Sequence, residues 1–173
     1  MYRDRTLLPK EAMRLAVLGI LAGTPMDYAG LATELRHFTS RIVGPSLELT
    51  GSSIEMLRLE GLIAFVGGQR LTLTDQGRAE LRELLSSSVR APFDGINRLV
   101  LALKLRFLHL LDADSQRSQA EMMIEAAETE LARIEDLRKH HAAEPGHLLA
   151  FLAHDVDEAR SRLEWFRELR AKL

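Results

Sequence analysis

A mainly helical fold, a winged helix-turn-helix followed by a helical, coiled-coil-like domain, is what this sequence predicts. Three observations carry it. Residues 50–81, TGSSIEMLRLEGLIAFVGGQRLTLTDQGRAEL, read as a short helix, a stop at Gly61, two short strands tipped by Gly67-Gly68, and a new helix after Thr74. Two further helical patterns precede that segment. After residue 90, apolar residues recur at 3/4 spacing almost to the end of the chain.

The first helix is expected over Lys10–Ala22, with Pro9 set at its entry and Gly23-Thr24-Pro25 ending it. Asp27 is placed to cap a second helix that runs to Phe38 or Arg41, before the Gly44-Pro45 break. A third helix begins near Thr50 or Ser52, with Ile54 and Leu57 inward and Ser52 with Glu55 as a candidate capping box. Leu62–Val66 and Arg70–Thr74 form a two-stranded wing, and Thr74 or Asp75 caps a fourth helix through Leu85. Ser86-Ser87-Ser88 and Pro92 mark a boundary near residue 90, giving a winged domain over 1–90 and a helical dimerisation domain over 91–173.

In the second half, Ile96, Leu99, Val100, Leu103, Phe107, Leu110 and Leu111 make one stripe, and Leu101, Leu105 and Leu108 fill much of the other side. A helix apolar nearly all round needs cover on several sides, and a second chain is the expected source. Met123 to Leu137 and then Leu152, Val156, Ala159, Leu163 and Phe166 read as two long helices paired across a Pro145-Gly146 turn. The expected dimerisation residues are therefore Ile96, Leu99, Leu103, Phe107, Leu110, Leu152, Val156, Leu163 and Phe166.

Composition narrows the chemistry. The 173 residues include no cysteine, which excludes disulfides, thiolate catalysis and cysteine-ligated zinc. The six histidines show no HExxH or other ligand spacing, no nucleophile elbow or phosphate loop occurs, and no cofactor is expected. Every long apolar run carries charge, as Lys104 and Arg106 do in LVLALKLRFLHLL, so no membrane span is expected and a cytoplasmic setting fits. Net charge is −2, with 11 Lys/Arg against 10 Asp/Glu over residues 1–90 and 12 against 15 over 91–173. Any nucleic-acid contact must therefore rest on a few placed cations.

LAVLGILAGTPMDYAGLATEL, GSSIEMLRLEGLI, LTLTDQGRAEL and the terminal WFRELRAKL, taken in order, resemble the PadR family of transcriptional regulators, in its longer type with a virulence-activator-like C-terminal domain. That resemblance implies a homodimeric, sequence-specific DNA-binding regulator, most often a repressor, some members of which answer to small ligands. Where the family commonly carries a tyrosine in the recognition helix, Glu55-Met56 stand here.

On this reading the double-stranded DNA contacts fall to Ser52, Ser53, Met56 and Arg58 of the recognition helix, Gln69 and Arg70 of the wing, and Lys10, Arg36 and Arg41 of the first two helices. Glu55 either caps its helix or reads a base amine. Phe93, Phe107 and Trp165 are candidates to line a pocket for a small aromatic or hydrophobic effector, with core packing as the other role open to them. An alternative function is a winged-helix dimer that serves as a protein-interaction module with weak or no DNA binding.

Overall fold

The computed structural model describes residues 6–44 and 50–173, with side chains of the third helix described from Ile54 onward. The described elements run α1 (Pro9–Gly23), β1 (Met26–Asp27), α2 (Tyr28–Val43), α3 (Thr50–Leu59), β2 (Ile63–Val66), β3 (Arg70–Leu73), α4 (Asp75–Leu85), α5 (Gly95–Phe107), α6 (Ala113–His140) and α7 (Leu148–Lys172). A single 3-10 turn, Leu108–Leu110, follows α5.

Local chemistry sets most of the boundaries. The Asp27 carboxylate accepts from the Gly30 amide at 2.7 Å and starts α2. Thr74 does the same for α4, accepting from the Gly77 amide at 3.0 Å. Gly61, at φ +75°, closes α3: the Leu62 amide reaches back to the Leu57 carbonyl at 2.9 Å, a closure that needs the left-handed conformation glycine adopts freely. α3 already runs at Thr50, so Ser52 lies within the helix; the Ser52 side chain of the expected Ser52–Glu55 capping box lies outside the described residues, and Glu55 accepts from Arg58.

The hairpin pairs Ile63 with Leu73, Phe65 with Leu71, and Val66 with Arg70 beside the glycine turn. The sheet has a third strand that the sequence pattern misses. Met26 and Asp27 pair antiparallel with Leu71 and Arg70, so the strand order is β1-β3-β2. Two residues are too few to show a period of two.

The chain divides into two compact units, residues 1–88 with 93–111, and residues 89–92 with 112–173. The helix expected to start the dimerisation domain thus belongs to the winged unit. Leu99, Val100, Leu101, Leu103, Phe107 and Leu108 are buried there, and α5 packs on both α1 and α2. Its cover comes from its own chain because α1 is just as apolar: every residue from Ala12 to Leu21 except Arg14 is buried. Gly19 lets the two helices meet, since a Cβ there would lie 2.3 Å from the Phe107 ring.

The second unit is the antiparallel pair α6 and α7. Leu152, Val156, Ala159, Leu163 and Phe166 of α7 are buried, facing a seam on α6 that includes Ala120, Met123, Ala126 and Ala127. Arginines of α7 bind acids of α6 along its length: Arg160–Glu135 at 2.6 Å, Arg162–Glu130 at 2.7 Å, Arg167–Glu128 at 2.9 Å and Arg170–Glu121 at 2.8 Å. As the number on α7 rises its partner's falls, which fixes the antiparallel register.

Candidate nucleic-acid interface

Ile54 and Leu57 are buried, as the sequence reading requires, and hold α3 against the core of the winged unit. That turns Glu55, Met56 and Leu59 outward. Met56 is 53% exposed and Leu59 72%. Ser52 and Ser53, the expected hydroxyl contacts at the head of α3, have side chains outside the described residues. Arg58 points sideways toward the wing: its Nε and Nη2 donate to Glu55 at 3.2 and 3.1 Å, and its guanidinium stands 6.0 Å from the Phe65 ring centre. The pair cancels the charge of Glu55, which on its own would repel a phosphate.

The wing arginine is also engaged. Arg70 donates from Nη2 and Nε to the Pro25 carbonyl at 2.9 and 3.3 Å, tying the wing to the loop that ends α1. Gln69 stands exposed in the turn beside it. By contrast Lys10, Arg36 and Arg41 are exposed and their cationic groups have no ion pair among the described residues. Of the expected set, Lys10, Arg36 and Arg41 thus carry positive charge on α1 and α2, and Arg70 keeps its charge on the wing although a neutral carbonyl holds it. Phe65 and Val66 of β2 are also exposed, at 55% and 46%, and the sequence pattern does not mark them as surface groups. The alternation of Ile63, Phe65, Leu71 and Leu73 marks a core-facing row, and only tertiary structure shows that Phe65 lies past its end.

Two ionic ties hold the unit's surface helices in place. Arg14 of α1 binds Glu60, just after α3, at 2.6 Å and Glu80 of α4 at 3.1 Å. Lys104, fully buried on α5, donates to the Leu85 carbonyl at 2.5 Å and the Ser87 carbonyl at 2.6 Å, filling acceptors at the end of α4. Burial lowers its pKa to about 7, because the interior penalises the charged ammonium.

A cavity of about 310 Å³ opens between α1, α2 and the end of α5. Of the three aromatic residues expected to line a pocket, Phe107 lines this cavity and Phe93 and Trp165 do not. Phe93 is buried elsewhere in the winged unit, and Trp165 lies on α7, 49% exposed, against the Phe166 ring. Among the described residues no three His, Cys, Asp or Glu side chains are placed to hold a metal ion, and no helix is long and apolar enough to cross a membrane.

The expected dimerisation residues are largely covered within the protomer. Leu99, Leu103, Phe107, Leu152, Val156, Leu163 and Phe166 are buried by their own chain, and Ile96 and Leu110 are half-buried. A heptad seam reports that a face is covered, not which chain covers it. On α7 the apolar side chains still open to solvent are Leu148, Leu149, Phe151 and Trp165.

No curated protein matches the chain. Among solved structures, it is similar to PadR from Bacillus subtilis, at 19% identity over 97% of this chain and 98% of that one, with a TM-score of 0.37. It is also similar to the same protein crystallised with operator DNA, at 16% identity over 92% and 98% and a TM-score of 0.38. A third is the PadR-like transcriptional regulator BC1756 from Bacillus cereus, at 16% identity over 92% and 96% and a TM-score of 0.39. The family model described as "Putative AphA-like transcriptional regulator" matches residues 2–170. The match takes in nearly the whole length of both compact units, and the chain belongs to the AphA-like family of transcriptional regulators.

Proposed function

We propose that the protein is a homodimeric, sequence-specific DNA-binding regulator, a repressor working in the cytoplasm, whose affinity for its operator a small ligand adjusts. The observation that carries this reading is the winged unit itself: α3 is held by two buried anchors with its outer face bare, beside a wing, and Lys10, Arg36 and Arg41 stand without ion pairs among the described residues of the same unit. In the proposed complex α3 enters the major groove and the free cations of α1 and α2 meet phosphates. Met56 offers an apolar contact suited to thymine methyls. Arg58 and Arg70 serve chiefly to set α3 and the wing, since both are already engaged. The second chain joins along the open flank of α7, at Leu148, Phe151 and Trp165, because the α7 seam is already covered by α6.

The salt dependence of DNA affinity tests the reading. Removing one phosphate-binding cation lowers the slope of log K against log salt by about one. Arg36→Ala and Arg41→Ala should each weaken binding to operator and unrelated DNA alike and flatten the slope by about that much. Wild-type slopes in both variants would remove α2 from the interface.

One observation favours the alternative, a protein-interaction module. The outer face of α3 and the wing shows Met56, Leu59, Phe65 and Val66, four large apolar side chains, where a phosphate binder more often shows cations. A binder of that kind keeps its affinity as salt rises and prefers no DNA fragment.

A further inference from the structure

We propose that the cavity between α1, α2 and the end of α5 binds a free α-amino acid with an apolar side chain. The inference deepens the effector part of the regulator reading and rests on it for its consequence, not for the binding. Ile20, Met26, Phe107 and Leu110 give the cavity apolar walls, and Arg106 and Glu34 give it a charged edge. The guanidinium of Arg106 lies 4.7 Å from the Phe38 ring centre and 5.2 Å from that of Phe107, so it is held between two aromatic groups. Its Nη2 donates to Glu34 Oε1 at 2.6 Å.

Three open hydrogen-bonding positions on that edge define the ligand. Arg106 Nε and Nη1 donate to nothing among the described residues, and Glu34 Oε2 accepts nothing there. The pair is neutral as a unit and only partly exposed, at 30% and 40%. A ligand with a net charge would bring an unmatched charge to this setting. A zwitterion does not. Its carboxylate takes the free N–H groups of Arg106, its ammonium takes Glu34 Oε2, and the four charges alternate in sign. A volume of about 310 Å³ has room for one amino acid.

The consequence lies on α2. Glu34 shares that helix with Arg36 and Arg41, so a ligand that re-seats Glu34 acts on the helix that bears two of the proposed phosphate contacts.

Calorimetric titration of the full chain, without DNA, tests the site with L-leucine and L-phenylalanine against N-acetyl-L-leucine, L-leucinamide and L-serine. The two apolar amino acids should bind, and each of the other three, lacking one charge or the apolar body, should bind at least ~10-fold more weakly. Arg106→Gln and Glu34→Gln should each weaken binding by a similar factor. Gly23→Leu guards against misfolding of those variants: Gly23 lines the cavity and a Cβ there meets nothing within 4 Å, so the wall accommodates the added side chain, which should weaken binding. No heat with either amino acid up to ~10 mM overturns the proposal. So does N-acetyl-L-leucine or L-leucinamide binding as tightly as leucine, which would make the site one for a plain acid or amine. Undiminished binding in both Arg106→Gln and Glu34→Gln would place the amino acid elsewhere and equally overturn it. Because no DNA is present, failure of the regulator reading leaves this result untouched; the change in operator affinity on adding L-leucine is measured separately.

Discussion

Lys104 is the residue whose chemistry departs furthest from its place in the sequence, where it reads as a charge interrupting an apolar run. Folding buries it against the end of α4, where its ammonium serves as a three-donor cap for the Leu85 and Ser87 carbonyls. Its pKa falls to about 7, against 10.5 in the unfolded chain. Between those values the unfolded chain holds a proton that the folded one has released, so stability should rise with pH from about 7 toward 10. Below pH 7 both states are charged and the full cost of burying the ammonium falls on the folded one. Urea melts between pH 6.5 and 10 should show that rise, and Lys104→Met should lack it. A wild-type profile that is flat or falls with pH would mean that the ammonium stays charged inside the fold. The wing arginine illustrates a different limit. Arg70→Ala removes the tie to Pro25, 45 residues away in sequence, and should weaken DNA binding less than Arg36→Ala does. The opposite order, measured by anisotropy on one operator fragment, would put the wing back among the phosphate contacts.

Among the elements, α2, α4 and the stop of α3 were legible because their signals are local: Asp27, Thr74 and Gly61 lie at the ends they determine. What covers an element is not local. The pattern of α5 shows correctly that it is apolar almost all round, yet its cover is α1 and α2 rather than a partner chain. Two such helices satisfy each other only where Gly19 admits the Phe107 ring, and sequence spacing does not report that fit. The candidate site was legible to the same degree. Its elements were placed, whereas which of the expected cations are engaged, Arg58 and Arg70, and which have no ion pair among the described residues, Lys10, Arg36 and Arg41, depends on side-chain geometry. In the α6–α7 pair the ladder of arginines and acids varies in burial. Glu130 is buried beneath Arg162, whereas Glu135 and Arg160 are more open to water. Arg162→Ala should therefore cost more than Arg160→Ala, roughly 1–3 against under about 1 kcal/mol, since removing a hydrogen-bonded cation from a buried carboxylate costs more than removing one from a carboxylate in solvent. Equal midpoint shifts in urea would show that Glu130 finds water when its partner is removed.

For the whole molecule, the sequence and the family agree on a regulator, and the proposed dimer rests on exposed apolar surface. Phe151 and Trp165 are 14 residues apart on α7, two heptads, and so lie on one flank; at 58% and 49% exposed they are large apolar groups left in water by the single chain. Sedimentation at micromolar concentration should give a dimer, and Trp165→Arg should shift it toward monomer while leaving the buried seam intact. A monomeric wild type would end the dimer proposal. A net charge of −2 supplies no bulk attraction to DNA, so the proposed complex has to rest on a few placed cations and a matched sequence. The direct test is fluorescence anisotropy of the purified protein with the DNA upstream of its own gene and with an unrelated fragment, at low and near-physiological salt. A regulator of the proposed kind binds the upstream fragment more tightly and keeps that preference at the higher salt. Absence of binding to either fragment, even at low salt, would contradict the account and leave the apolar face of α3 and the wing as a surface for another protein.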